Sequence, residues 1–444
     1  MSRRSDILKN FEKYRSYTED RVKSGIESNR KAHVTFTVKN QKGEPIPGLR
    51  IQISQKTHTF RYGANIFMLD ELETAEKNHA YKESFKGLFN MATLPFYWND
   101  LEPERGKLRY AADSPKIYRR PAPDLCLDFC EKNGIEPREH ALAYEHMFPN
   151  WLKNESIATV KRELERRFSE ISERYAARIP TIEVTNEMQW GDGITPFYRD
   201  RDYVRWCFKL AEKYFPNNQL VINEWMGLWE TQSKYNGYYF QQIENNLRAG
   251  ARIDAIGMQF HMFFGKEHEA ERTVPRCYNP LTLYDTMDTY AAFGLPLQIT
   301  EVTIPAYSND PEDEELQADI IDRLYSIWFS HPNMEQIIYW NLVDGYAYGV
   351  KQGDMTGGEN YYHGGLLRYD LSPKPAYLRL KEMFTKRWHT EEALTTDADG
   401  AASFKGFHGT YDVTVSDQSG KTAVLPLTVS KDPIANHSIV LTLD

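Results

Sequence analysis

Short apolar runs recur along the middle of this chain, each followed by a longer segment with helical spacing. The runs are FRYGANI, NMATLPF, REHALAY, TIEVTNE, QLVINEW, DAIGMQF, PLQITEV and QIIYWNL, beginning at residues 60, 90, 138, 181, 219, 254, 296 and 336. Each has the length of a strand. The segments between them, such as TVKRELERRFSEISERYAAR and ELQADIIDRLYSIWF, repeat apolar residues every three to four positions, as a helix buried on one face does. Eight strand–helix units in succession predict a (β/α)8 TIM barrel. A long doubly wound sheet shares the alternation. No Gly-x-Gly-x-x-Gly turn follows the first run, however, which removes the most specific support for that sheet.

The two ends have a different rhythm. Residues 1–30 read as polar helix with one apolar stripe, Leu8, Phe11, Tyr14 and Tyr17. AHVTFTVKNQKGEPIPGLRIQISQKTHTF then reads as a β-hairpin: two alternating runs around a Gly/Pro-rich turn. At the other end TDADGAASFKGFHGTYDVTVS, KTAVLPLTVS and NHSIVLTLD are short alternating strands. Neither end alone has enough strands for a stable core. Together they resemble the carboxypeptidase regulatory-like β-sandwich. The expected organisation is therefore a small β-sandwich formed from both chain ends, with the barrel inserted in it. Residues 1–58 supply the N-terminal helix and first sandwich strands, 59–388 the barrel, and 389–444 the remaining strands.

Composition narrows the function only by exclusion. A net charge of −9 lacks the Lys and Arg clusters that phosphate backbones require, so nucleic acid is not the expected partner. No run approaches the roughly 20 apolar residues of a membrane span. MSRRSDILKNFEKYRSYTED has no apolar core of a secretory signal. That places the chain as it stands in the cytoplasm, or outside the cell if a leader has been removed. Cys126, Cys130, Cys207 and Cys277 lack partner ligands at zinc spacing and read as reduced, buried thiols. The acidic run NDPEDEELQ at 309–317 reads as a solvated helix N-terminus rather than a calcium loop.

The chemistry is expected at the C-terminal ends of barrel strands. There the sequence offers His140 on the third strand and Asn186-Glu187 on the fourth. The fifth ends in Asn223-Glu224-Trp225 and the sixth carries Gln259 and His261. Glu301 ends the seventh, and Trp340 lies on the eighth. The fourth and seventh strands stand opposite each other across a barrel mouth. Two facing carboxylates, one protonated and one ionised, are what retaining glycoside hydrolysis requires. Glu301 is expected ionised as nucleophile, because His261 can hydrogen-bond to it. Glu187 is expected to carry the proton as acid/base. Asn186 suits a sugar 2-hydroxyl, and Trp340 suits a stacking floor.

The motifs TNE (185–187), GMQFH (257–261), ITEVTI (299–304) and YWNLVDGYAYG (339–349) resemble those of glycoside hydrolase family 10, whose best-known members are endo-β-1,4-xylanases. FRYGANI, LEPERG, HALAYEHMFPNW, INEW and LSPKPAY fall in the same order. The resemblance implies Glu187 as acid/base and Glu301 as nucleophile. It implies sugar-binding roles for His140, Asn186, Gln259 and Trp340, with His261 holding the nucleophile. Trp225 of INEW joins the substrate-binding set. Departures cluster on the non-reducing side of the scissile bond. A Glu-Asn pair is replaced by Thr93-Leu94, and a Lys by Tyr97. Trp-His becomes Tyr144-Glu145, a Gln becomes Met147, a loop Trp becomes Tyr348, and the Ser before His261 becomes Phe260. Tyr97, Tyr144, Glu145 and Tyr348 thus enter as candidate substrate contacts in a rebuilt pocket. The expected function is retaining hydrolysis of β-glycosidic bonds in xylan-derived chains, with carbohydrate as partner and no cofactor or metal. Two alternatives stay open: a related glycosidase for another or a decorated sugar, and a barrel that binds carbohydrate without cleaving it.

Overall fold

The structure is a computed structural model, and it describes residues 3–189, 193, 195–230, 234–418, 420–437 and 439–443. They group into two compact units. One comprises Met1–Tyr14, Tyr62–Tyr325 and Asn333–Tyr377; the other comprises Arg15–Arg61, Ser326–Pro332 and Leu378–Asp444. Among the described residues no helix is long and apolar enough to cross a membrane.

The second unit contains a β-sandwich. Strands β1 (Lys31–Asn40) and β2 (Arg50–Gln55) come from the start of the chain. The expected hairpin between them does not form. β1 joins one sheet and β2 the other, so they face each other across the core. The reason lies in the connection GEPIPG. Pro45 and Pro47 have no N–H to continue a ladder, and Gly48 turns the chain at φ 71°. The alternating faces remain as read: Val34, Phe36 and Val38 of β1 and Ile51 and Ile53 of β2 are buried in one apolar cluster.

The first unit is a closed barrel of eight parallel strands. These are β3 (Arg61–Asn65), β4 (Met91–Pro95), β5 (Glu136–His140), β6 (Thr181–Asn186), β7 (Gln219–Glu224), β8 (Ala255–His261), β9 (Leu297–Thr303) and β10 (Met334–Tyr339). The remaining sandwich strands follow: β11 (Glu391–Thr395), β12 (Ala401–Phe407), β13 (Gly409–Ser416), β14 (Thr422–Val429) and β15 (Ile439–Leu443). The sheets run β12-β1-β15 and β11-β2-β13-β14, so each takes strands from both chain ends.

All eight runs are strands, but β5 is displaced. The apolar residues of REHALAY suggest a strand from 138 to 144, whereas β5 ends at His140. Beside Pro137 it buries Arg138, Glu139 and His140, polar side chains that an apolar pattern cannot find. Around the barrel the helices read as expected. Ile157–Tyr175 is capped by Ser156, whose side chain accepts from Thr159 N–H, and it buries Val160, Leu164, Phe168 and Ile171 on one stripe. Arg167, on the same stripe, donates to the carbonyls of Leu142 and Phe96 and so fixes the chain beyond β4 and β5. Pro123–Asn133 starts on a proline and ends at Gly134 in the left-handed region, φ 64°. Cys126 and Cys130 on it are free and buried, as are Cys207 and Cys277. At the N-terminus the stripe is shorter than read. Ile7, Leu8 and Phe11 are buried in Arg3–Lys13, but Tyr17, in a second helix Arg15–Asn29, is exposed. The acidic run opens the helix Pro311–Ser330. Its Asp313 pairs with Arg3 and Lys266, and its Glu314 pairs with Arg368.

Candidate active site

The C-terminal ends of the barrel strands surround a cleft of about 560 Å³. Its chemistry is set by strand register. Parallel pairing puts Gln259 beside Glu301 and His261 beside Thr303. Between Met258–Ile299 and Gln259–Glu301 the register slips, so Thr300 is an extra residue, a β-bulge. The bulge lets two successive side chains serve the interior. Thr300 Oγ1 donates to Asn223 Oδ1 at 2.7 Å, and Glu301 faces the cleft. β6 has a similar slip between Glu183 and Thr185.

Glu187 follows β6 with φ 50°, a strained conformation for a residue other than glycine. Its N–H is held by the carbonyl of Asn223 at 3.2 Å. The Tyr144 hydroxyl donates to Glu187 Oε2 at 2.6 Å. Gln259 Nε2 donates to Glu187 Oε1 at 2.9 Å and to Glu301 Oε1 at 3.1 Å. One amide nitrogen therefore spans the pair, and these two oxygens stand no more than about 6 Å apart. Glu301 is 4 % exposed. It accepts from Asn223 at 3.2 Å and lies 3.0 Å from His261 Nε2.

The proton is expected on Glu187, and the structure puts the deeper burial at Glu301. Desolvation, reinforced by the charges of Glu183 and Glu187, pushes the Glu301 carboxyl up to about 8, against the pull of His140 and Arg138. His261 is driven the other way: burial lowers it to about 4, so the ring is neutral at pH 7.

Beneath the pair lies a buried charge network. Glu183 meets Arg138 through one oxygen and His140 Nδ1 through the other, at 2.8 Å. Burial alone would lower His140, but the Glu183 charge prevails and raises it. His140, Glu183 and Glu301 offer ligand atoms within 4.8 Å of one another, the geometry of a possible cation site. Both Glu183 oxygens are already engaged by Arg138 and His140, which makes this an ion-pair network.

Of the twelve candidate residues, eleven line the cleft. Tyr97 Oη lies 3.0 Å from His140 Nε2. Trp340 stands edge-on to His140 and His261, with centroids 5.4 and 5.8 Å away. Asn186 Oδ1 accepts from Asn223 and Gln259. Trp225 borders the cleft with its Nε1 donating to Gln189, and Tyr348 is half exposed at its edge. Glu145 is the exception. Its carboxylate turns to the backbone N–H groups of Gly193 and Thr195, both at 3.2 Å.

The sequence reading missed Glu183, and it placed Asn223 and Glu224 at a strand end without giving either a role. Buried Glu224, pushed up to about 8 by desolvation, accepts the N–H groups of Trp225 and Gln189 and anchors the chain after Glu187. It also missed Arg119 and Arg120, which reach the cleft from a loop. The adjacent Arg pair before a helix gave no usable signal, since Arg3-Arg4 and Arg166-Arg167 repeat it elsewhere in the chain.

Fold and site together define a (β/α)8 barrel with a carboxylate pair at its C-terminal mouth. The profile of Glycosyl hydrolase family 10 matches residues 56–383, and the chain belongs to that family. It is 24 % identical over 405 residues to anti-sigma-I factor RsgI6 of Acetivibrio thermocellus, spanning 89 % of this chain and 46 % of that protein. It is also 24 % identical to endo-1,4-beta-xylanase 1 of Arabidopsis thaliana, over 95 % of this chain and 40 % of that one. The chain thus spans under half the length of these relatives. In fold it is similar to xylanase 10B of Thermotoga petrophila, solved in complex with xylobiose, at TM-score 0.59 and 20 % identity, covering 74 % of this chain and 95 % of that one.

Proposed function

We propose that this protein is a retaining glycoside hydrolase that cleaves β-1,4-linked, xylan-derived chains by double displacement. The observation that carries this reading is the Gln259 bridge. It keeps the nearest carboxylate oxygens within about 6 Å. Retaining enzymes need about 5–5.5 Å between the carboxyl groups, whereas inverting ones need about 6.5–9.5 Å to admit a water. The sugar assignment is supported by the names of the xylanase relatives.

In the first step a Glu301 oxygen bonds to the anomeric carbon while the bond to the leaving oxygen breaks, and Glu187 gives that oxygen its proton. In the second, Glu187 takes a proton from water, the water oxygen bonds to the anomeric carbon, and Glu301 leaves as carboxylate. Both Glu187 oxygens accept hydrogen bonds, from Tyr144 and Gln259. For Glu187 to hold the proton, Tyr144 or Gln259 must turn its donor to the sugar. Asn223, Gln259 and His261 already supply donors to the ionised nucleophile.

The test is turnover of an aryl β-xylobioside beside aryl xylosides, glucosides and galactosides. Glu301→Ala should abolish it, and proton NMR should show the product first formed with its configuration retained. An inverted first anomer removes Glu301 from the nucleophile role. A second reading, a barrel that binds sugar without cleaving it, is favoured by one relative's name as an anti-sigma factor. It predicts calorimetric binding of xylo-oligosaccharides with no turnover of any aryl glycoside.

A further inference from the structure

Arg119 and Arg120 are both nearly fully buried, yet both line the cleft. They lie against Phe67 and Tyr97, the part of the cleft where the Trp340 ring stands. Arg120 is held flat. Its guanidinium sits 4.3 Å from the Tyr97 ring centroid and 4.8 Å from that of Tyr348, and its Nε donates to Asp100 at 2.8 Å. Arg119 differs. Its nitrogens donate to the Tyr346 carbonyl and to Asn341 Oδ1 at 3.0 Å, while its Nε is buried without an acceptor. Among the described residues it forms no ion pair. The Glu359 carboxylate lines the same cleft and its charge offsets part of the desolvation of Arg119 through space, but its hydrogen bond goes to the Asn341 amide, at 2.7 Å. The Arg119 backbone is left-handed, φ 61°, a conformation that costs energy at an arginine.

A buried guanidinium bonded only to neutral oxygens is expensive unless something supplies an anion. Within a sugar-binding cleft the anion that matches a planar N–H fork is a carboxylate. We propose that the Arg119–Arg120 side of the cleft is a subsite for a sugar unit bearing a carboxylate, a uronic acid in the chain or as a branch. Trp340 and the half-exposed Tyr348 flank the ring, and the two guanidiniums take the acid group. This deepens the glycoside hydrolase reading and rests on it for the presence of a sugar in the cleft.

The experiment compares ligands that differ only in the acid. Calorimetry on the full chain carrying Glu301→Gln, which prevents turnover, uses xylotetraose with one glucuronic acid branch and a disaccharide ending in β-linked glucuronate. Each is set beside its carboxyl-reduced counterpart. At least one acidic probe should bind about tenfold or more tighter than its neutral twin, since a charge-assisted hydrogen bond is worth about that much. Raising salt should narrow the gap. Arg119→Gln or Arg120→Gln, added to that chain and shown folded by circular dichroism, should bring the acidic and neutral affinities within about twofold. Arg120→Lys, which keeps the charge, should retain part of the preference. Equal affinities for both pairs, or a preference that survives both glutamine substitutions, overturns the proposal. Either result leaves the hydrolase reading intact if wild type turns over neutral aryl glycosides. Loss of that turnover with the acid preference preserved sinks the hydrolase reading alone.

Discussion

His261 Nε2 lies 3.0 Å from Glu301 Oε2, while His261 Nδ1 meets the Thr303 hydroxyl at 2.9 Å. Both contacts follow from neighbouring strands, since His261 and Thr303 are register partners. A neutral ring has one N–H, and an ionised Glu301 needs it on Nε2. Thr303 must then donate to Nδ1. Thr303→Val keeps the shape and removes that donor. Turnover of an activated aryl glycoside should fall about tenfold, and His261→Ala should cost about a hundredfold, mainly in kcat. Unchanged kcat in both variants would show that the ring does not orient the nucleophile.

The assignment of Glu187 as proton donor makes its loss depend on the leaving group. Glu187→Ala should lower turnover of an oligosaccharide by about 10²–10⁴-fold. An aryl glycoside with an acidic phenol needs little protonation, so its first step should suffer far less. Steady-state and burst kinetics on both substrate types check this. Equal losses in the first step count against the acid role.

The pair needs one proton, and Glu301, raised to about 8, holds it. kcat/KM should therefore decline as pH rises through about 8, read from a pH profile on a neutral aryl glycoside. Stability moves with it. The folded protein binds this proton more tightly than the unfolded chain, whose carboxyl titrates near 4.5, so the Glu301 contribution is lost as pH rises from 4.5 to about 8. Glu301→Gln cannot ionise. It should melt about 3 °C above wild type at pH 8, with the difference fading near pH 4. A lower melting point at pH 8 contradicts the assignment.

Arg138 and Glu183 are 1 % and 0 % exposed, so breaking their pair leaves a charge in the barrel interior. Arg138→Ala should lower unfolding free energy by about 3–5 kcal/mol, seen as an earlier urea midpoint. It should also shift the pH profile, because His140 and Glu183 lose a charged neighbour. A midpoint within error of wild type would show that the Glu183 charge is compensated elsewhere.

Much of this molecule is local. The period of two in the sandwich strands, the helical stripes and the polar residues at the ends of β6, β8 and β9 follow from short-range sterics and from which side chains avoid water. A reader of the sequence can find them, and the ordered motifs attach Glu187 and Glu301 to a family. Pairing between distant segments is not local. GEPIPG reads as a hairpin turn, but its prolines stop the ladder, and distant strands then pair with β1 and β2 in opposite sheets. β5 carries Arg138, Glu139 and His140 into the interior because Glu183 waits there, its carboxylate meeting Arg138 and His140 and its N–H donating to Glu139, a reward invisible to an apolar count.

The sequence by itself determined the eight strand–helix units, the sandwich strands and the placing of Glu187 and Glu301 at strand ends, because each depends on residues near it in the chain. Tertiary structure decided the rest. Barrel closure brings Glu187 and Glu301 to one Gln259 amide, the bulge at Thr300 turns Glu301 into the cleft, and folding delivers Arg119 and Arg120 to its wall. The same closure buries Glu301 more deeply than Glu187. Desolvation depends on everything around a group, so no reading of the chain in order could settle which glutamate keeps the proton.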